Sequence, residues 1–141
     1  MLLFAILYSA LVAIFALLEA DVDAAMIKYG EEIDHAKGLK RRVVYAGTIP
    51  LLWAVWLAWA AWGSWWDMQF VLFPFMITYG TFGPLFRYRL NMNRHLPADY
   101  ISSSNNYDRF FLSIFGWRGG WVAYATEIKS LVAGLVLAML Y

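Results

Sequence analysis

Glu127 is the one acidic side chain that the sequence sets inside an apolar stretch long enough to cross a bilayer, residues 121–141. A carboxylate at that depth is costly unless paired, so it is a candidate for handling protons or cations along a membrane path. Lys129 is near it and can snorkel to the same boundary; a membrane that begins nearer Ile128 makes Glu127 an ordinary interfacial acid. Glu19, Asp21 and Asp23 close the first apolar stretch, where they can draw cations to a pore mouth or pair with Arg87, Arg89 or Arg118. Glu32 and His35 form a Glu-x-x-His pair, the spacing used in di-iron carboxylate bundles. Those bundles need the motif twice, and this chain has only 2 histidines and no second copy. Glu31–His35 therefore reads as one side of a solvated, charged helix. No Ser/His/acid constellation is evident, and Gly116-Trp117-Arg118-Gly119-Gly120 lacks the strand and lysine of a nucleotide loop. With no cysteine, structural disulfides, thiolate metal sites and cysteine nucleophiles are excluded. No catalytic, cofactor or metal residue is assigned.

Tryptophan is the other unusual feature. Trp53, Trp56, Trp59, Trp62 and Trp65 recur every three residues, with Trp66 beside the last. On a helix each step of three advances by about 300°, so the indoles form a spiral ridge rather than one face. Tryptophan ordinarily collects at the membrane–water boundary, yet this ridge begins well inside an apolar stretch. It is expected to pack against lipid and against Phe70, Phe73 and Phe75, or else to bind a flat apolar or aromatic ligand.

The elements that must position these residues follow from composition. The 141 residues are 62% hydrophobic and 15% charged, against roughly 45–50% and 25% in a soluble domain. The net charge of +1 gives no reason to expect nucleic-acid binding. The predicted fold is all-α: one membrane domain with four transmembrane helices at about 2–18, 43–66, 68–86 and 121–141. The first stretch lacks the basic start of a signal peptide and is read as a true span. Spans two and three are joined at Trp66-Asp67, which makes them a helical hairpin. Basic residues gather in the connections 19–42 and 87–120, so both connections are expected in the cytoplasm and both termini outside. Residues 19–42 look like a charged extension of the first helix with a break at Gly38. Pro50, Pro74 and Pro84 should kink the second and third spans, with Thr48, Thr78 and Thr81 at hand to satisfy freed backbone groups.

Tyr107, Phe110, Phe111, Ile114 and Phe115 repeat at helical spacing opposite Asp108, Arg109 and Ser113. They predict one interfacial amphipathic helix before the last span, with Gly116, Gly119 and Gly120 providing the bend. Small residues line one face of three spans: Ala5, Ser9, Ala13, Ala16 and Ala20; Gly47, Ala54, Ala58 and Ala61; Ala123, Thr126, Ser130, Gly134 and Ala138. Such faces let membrane helices approach closely, within the chain or between copies, and a homo-oligomer is expected.

The run Arg94-His95-Leu96-Pro97-Ala98-Asp99-Tyr100-Ile101-Ser102, followed by Tyr107-Asp108-Arg109-Phe110 and a glycine-linked last span, resembles small uncharacterised membrane proteins encoded by bacteria and their phages. The resemblance covers the last third of the chain. It implies a bacterial or viral origin and transfers no site residues. The reading is a non-enzymatic protein of a bacterial inner membrane, a structural or accessory subunit of a larger membrane protein partner. Asn105, Asn106 and Arg109 are its expected partner contacts, because loops on a rigid scaffold carry recognition. The alternatives are an oligomeric, holin-like pore with Glu19 and Glu127 near its path, and a binder of an apolar ligand on the ridge of Trp53, Trp56, Trp59 and Trp62.

Overall fold

The computed structural model describes residues 2–29, 68–102 and 106–140. The expected second span with its tryptophan ridge, the Trp66-Asp67 turn, the Glu31–His35 run, Gly38, Pro50 and Asn105 lie outside the described residues. Within them the chain is all-helical: α1 is Leu2–Lys28, α2 Met68–Asn93, α3 Asn106–Phe115 and α4 Gly119–Leu140, with a single 3-10 turn at Gly116–Arg118 between α3 and α4. Among the described residues two stretches are long and apolar enough to cross a membrane, α1 and the run Asn106–Leu140. Helix α2 has the length but, with Pro74, Pro84 and several polar residues, falls short of that apolarity.

Contacts between side chains fix how the helices run. Tyr8 Oη meets Thr78 Oγ1 at 2.6 Å and Ser9 Oγ meets Thr81 Oγ1 at 3.0 Å. Farther along both helices, Asp21 meets Arg89 and Asn93. Numbers rise together, so α1 and α2 are parallel. Opposite α2, Gly83 faces Glu127, Gly80 faces Leu131 and Ile77 faces Gly134, so α4 is antiparallel to it. Helix α2 thus packs extensively on both neighbours, while α1 and α4 touch only lightly.

The small residues expected to mediate packing do so on α1 and α4. Ala5, Ala16 and Ala20 are buried on α1 with Tyr8 and Val12 between them, and Ala123, Gly134 and Ala138 are buried on α4. Thr126 departs from the pattern: it is exposed and bonds the Val122 carbonyl of its own helix. The closest approach comes from glycines that the stripe omitted. A Cβ on Gly80 would collide with the backbone of Leu131 and would stand 2.5 Å from the Glu127 carbonyl. Only a residue without a side chain lets two helix backbones meet so closely. Thr78 and Thr81 reach across to α1, which is where the structure uses them.

Helix α2 ends in a Schellman cap. Leu96 N–H bonds the Asn91 carbonyl at 2.9 Å, His95 N–H bonds that of Met92 at 3.1 Å, and His95 takes the left-handed conformation at φ 55°. The Pro97 carbonyl then accepts Tyr100 N–H at 3.0 Å, closing the turn expected at Pro97-Ala98-Asp99. Asn91 Nδ2 holds this turn from below through the carbonyls of Ala98 and Tyr100, and Tyr124 Oη donates to Ala98 at 2.8 Å. Gly120 lies directly under the Asp99 carbonyl, with no room for a Cβ.

Residues 106–140 are not one rod. A straight helix would separate Tyr107 from Glu127 by about 30 Å, yet the two side chains hydrogen-bond. The chain folds back at Gly116, whose φ is 56°, and a Cβ on Gly119 would stand 3.0 Å from the Phe111 backbone. The inward side of α3 differs from expectation: Phe111 is buried, but so is Asp108, whose Oδ2 accepts Ser102 N–H at 3.1 Å. Phe110, Ile114 and Phe115 remain outside. An acid that anchors a neighbouring backbone N–H goes in with the apolar residues, which hydropathy spacing does not register.

Candidate functional site

The antiparallel packing of α2 on α4 brings Arg87, one turn beyond Gly83, over Glu127. The two form a bidentate ion pair, Arg87 Nη1 to Glu127 Oε2 and Nη2 to Oε1, each 3.0 Å. Glu127 is 1% exposed. Gly83 makes the slot: a Cβ there would stand 2.5 Å from Oε1 and 2.6 Å from the carboxyl carbon. The guanidinium carbon lies 5.0 Å from the centre of the Tyr124 ring and 5.8 Å from that of Tyr107, both within cation–π range.

Tyr107 adds a third donor, its Oη giving a hydrogen bond of 2.9 Å to Glu127 Oε1. A carboxylate can only accept, so the Tyr107 proton is committed to it, and the 2.8 Å contact with Tyr79 must be donated by Tyr79. The hydrogen bonds run from the half-exposed Tyr79 through Tyr107 to Glu127, with Arg87 closing the chain. Three elements meet here: α2 supplies Tyr79, Gly83 and Arg87, α3 supplies Tyr107, and α4 supplies Tyr124 and Glu127. Paired charges with further hydrogen bonds are the condition under which a buried carboxylate is tolerable.

A second polar group stands at the same end of the bundle, exposed. Arg89 Nε and Nη2 bond the two Asp21 oxygens at 2.7 and 3.2 Å, and Asn93 Nδ2 adds a bond of 2.6 Å. Asp21 lies beyond the apolar stretch that ends at Leu18, and the Arg89 guanidinium, helped by the Asn93 amide, holds its carboxyl below the usual aspartate range. Of the arginines considered as partners for Glu19, Asp21 and Asp23, Arg89 pairs with Asp21. Glu19 and Asp23, on the same helix, are buried.

Glu127 is at the centre of the ion pair, and as arranged it accepts three hydrogen bonds and presents almost no surface to water. Glu19 lies on the buried side of α1. Asn106 and Arg109 are exposed at the start of α3, where Arg109 Nη2 donates to Asn106 Oδ1. Asn105 and Trp53, Trp56, Trp59 and Trp62 lie outside the described residues. Arg87, Tyr107, Tyr79, Tyr124 and Gly83 were not singled out by sequence as one site. The usable signal was Glu127 itself, since an acid set within an apolar stretch demands a cation, and Arg87 is the first basic residue after the antiparallel neighbour's apolar stretch. Among the described residues no group of three His, Cys, Asp or Glu side chains is placed to hold a metal ion. No protein-family model, curated protein or solved structure matches the chain.

Proposed function

We infer that this chain is a four-span protein of a bacterial inner membrane acting, without catalysis, as a structural or accessory subunit. The observation that carries the reading is the division of polar and apolar surface. Arg87, Glu127 and Tyr107 are turned inward and satisfied by one another. Meanwhile Leu3, Leu7, Leu11, Ile14 and Leu18 form an exposed stripe along α1, and Ile128, Val132 and Val136 one along α4. Unpartnered apolar stripes of that length suit lipid, not water.

Topology supports the count of spans. Because α1 and α2 are parallel, the chain between them has to return to the side where α1 began. In a bilayer that return is a further crossing, and the apolar run 43–66 is the sequence's candidate for it. Helix α2 is wedged between α1 and α4 along its length, so it crosses if they do. Lys28, Arg87, Arg89, Arg94 and Arg118 then fall toward one side, the cytoplasmic one by the distribution of positive charge.

The turn after α2 and the start of α3 form the partner contact in this reading, with the turn clamped by Asn91 and Tyr124 and Asn106 and Arg109 exposed beside it. A photo-crosslinking amino acid at Asn106, in full-length protein in bacterial cells, tests it. A discrete adduct with one larger membrane protein, lost on Arg109→Ala and not formed from Leu11 on the lipid stripe, is the expected result. Adducts with copies of the chain alone would refute the accessory role in favour of self-assembly.

A further inference from the structure

The outward surface of α3 and the 3-10 turn is apolar and ringed by positive charge. Phe110 and Ile114 are one helical turn apart and both exposed; Phe115, Trp117 and Trp121 extend the same surface, with Trp117 78% exposed. Below Trp121 it continues into the stripe of Ile128 and Val132 on α4. The charges are sorted. Between Asn106 and Leu140 the exposed charged side chains are Arg109, Arg118 and Lys129, whereas the two acids, Asp108 and Glu127, are both buried and engaged. Arg118 lies 4.9 Å from the centre of the Trp117 ring, an arrangement that keeps a cation at the edge of an apolar surface.

We propose that α3 and the Gly116–Arg118 turn form a docking surface for anionic phospholipid, the aromatic side chains entering the headgroup–acyl boundary and Arg109 and Arg118 holding the phosphates. Two observations select lipid over a protein partner. The patch is continuous with the lipid-facing stripe of α4, and the exposed charge that α3, the turn and α4 contribute to it is of one sign, complementary to a layer of phosphates. Burial of Asp108 and Glu127 is what produces that single sign. The fold-back at Gly116 sets the surface beside the first turns of α4, the depth at which indole and guanidinium groups are most at home. This inference rests on the membrane reading above, and its test has to separate the two.

The absence of cysteine allows single labels in the full chain. Ile114→Cys and, separately, Val132→Cys carry an environment-sensitive nitrobenzoxadiazole fluorophore, in vesicles of phosphatidylcholine with phosphatidylglycerol. Quenchers are a nitroxide attached to either lipid and aqueous iodide. The label at 114 should be quenched by lipid nitroxide, shielded from iodide, and quenched more by nitroxide on phosphatidylglycerol than on phosphatidylcholine. Each basic group near the surface should contribute about a fivefold enrichment of anionic lipid. Arg118→Gln should reduce the preference, Arg118→Lys should keep it, and high salt should erase it in the otherwise unchanged protein. Iodide quenching at 114, shielding from both quenchers, or a preference indifferent to Arg118→Gln and to salt would each overturn the proposal, shielding from both pointing to a protein cover. A label at 132 that lipid nitroxide fails to quench would instead sink the membrane reading itself.

Discussion

Removing one partner of the Arg87–Glu127 pair should cost far more than removing both. Two unit charges about 4 Å apart attract by about 4 kcal/mol at an effective dielectric of about 20, and burial takes back a comparable amount. The intact pair is therefore of small net benefit, but a lone survivor is left desolvated. Glu127→Gln keeps the shape and offers Arg87 one neutral acceptor while turning an amide N–H₂ toward guanidinium N–H groups. Arg87→Met leaves the carboxylate with Tyr107 as its one remaining donor. Each single change, Glu127→Leu included, should destabilise by about 3–5 kcal/mol, and Arg87→Met with Glu127→Leu by under about 2 kcal/mol, so the cycle runs over Arg87→Met and Glu127→Leu. Equilibrium unfolding in mixed micelles, followed by tryptophan fluorescence, measures all four corners of the cycle. A coupling energy below about 0.5 kcal/mol would refute the reasoning, since contacts this close in a dry slot must be non-additive. The pore alternative makes the opposite forecast: Glu127→Gln would leave stability nearly unchanged and abolish ion flux through liposomes.

Other substitutions probe the scaffold around that pair. Gly83→Ala drives a methyl into the Glu127 carboxyl, so it should break the pair and cost at least about 2 kcal/mol, with a smaller loss in an Arg87→Met, Glu127→Leu background where the slot is empty of charge. His95→Gly relieves a left-handed residue at the end of α2 and should raise stability by about 0.5–1 kcal/mol after the entropy of glycine is allowed for, read as a shift in thermal midpoint. Tyr8→Phe removes the bond to Thr78 and should cost about 0.6 kcal/mol in the same unfolding assay. Because the folded Asp21 carboxyl titrates below its unfolded value, its contribution is present above about pH 4 and fades as pH falls through the lowered folded value. The stability difference between the parent chain and Asp21→Asn should accordingly vanish once the pH is below that lowered folded value.

What the sequence conveyed was mostly a matter of periodicity and length. Helices at α1, α2 and α4, the short helix before the last one, the turn at Pro97-Ala98-Asp99 and the glycine bend all follow from runs and breaks in apolar residues, and each is present. Partnership was harder to read. Arg87 looked like one more basic residue in a connection, because nothing in one sequence says that α2 continues past Phe86 or that Gly83 opens a slot beneath it. Tyr107 and Asp108 were assigned to opposite sides of α3 by polarity, while the structure turns both inward because each has a bond to make. Gly80 and Gly83 escaped notice for a related reason: their use depends on which residue of α4 comes opposite.

The modest apolarity of α2 follows from its position. A helix between α1 and α4 need not be apolar all round, provided each polar side chain meets another, and α2 does this on both sides. Thr78 and Thr81 are matched to Tyr8 and Ser9, Arg87 to Glu127, and the Met76 carbonyl to the Ser130 hydroxyl at 3.1 Å. Pro74 and Pro84 add unpaired carbonyls that are likewise tolerable only among neighbours. Alone in lipid such a helix would be poorly held. Between α1 and α4 its polarity becomes the means of assembly, because each of these groups is satisfied in one register and left wanting in any other. That is why removing the Glu127 charge should unsettle the order of the helices and not one local contact: in the Glu127→Gln protein, cysteine pairs at Tyr8/Thr78 should crosslink less completely than in the parent, although both positions lie on the far side of α2 from the substitution.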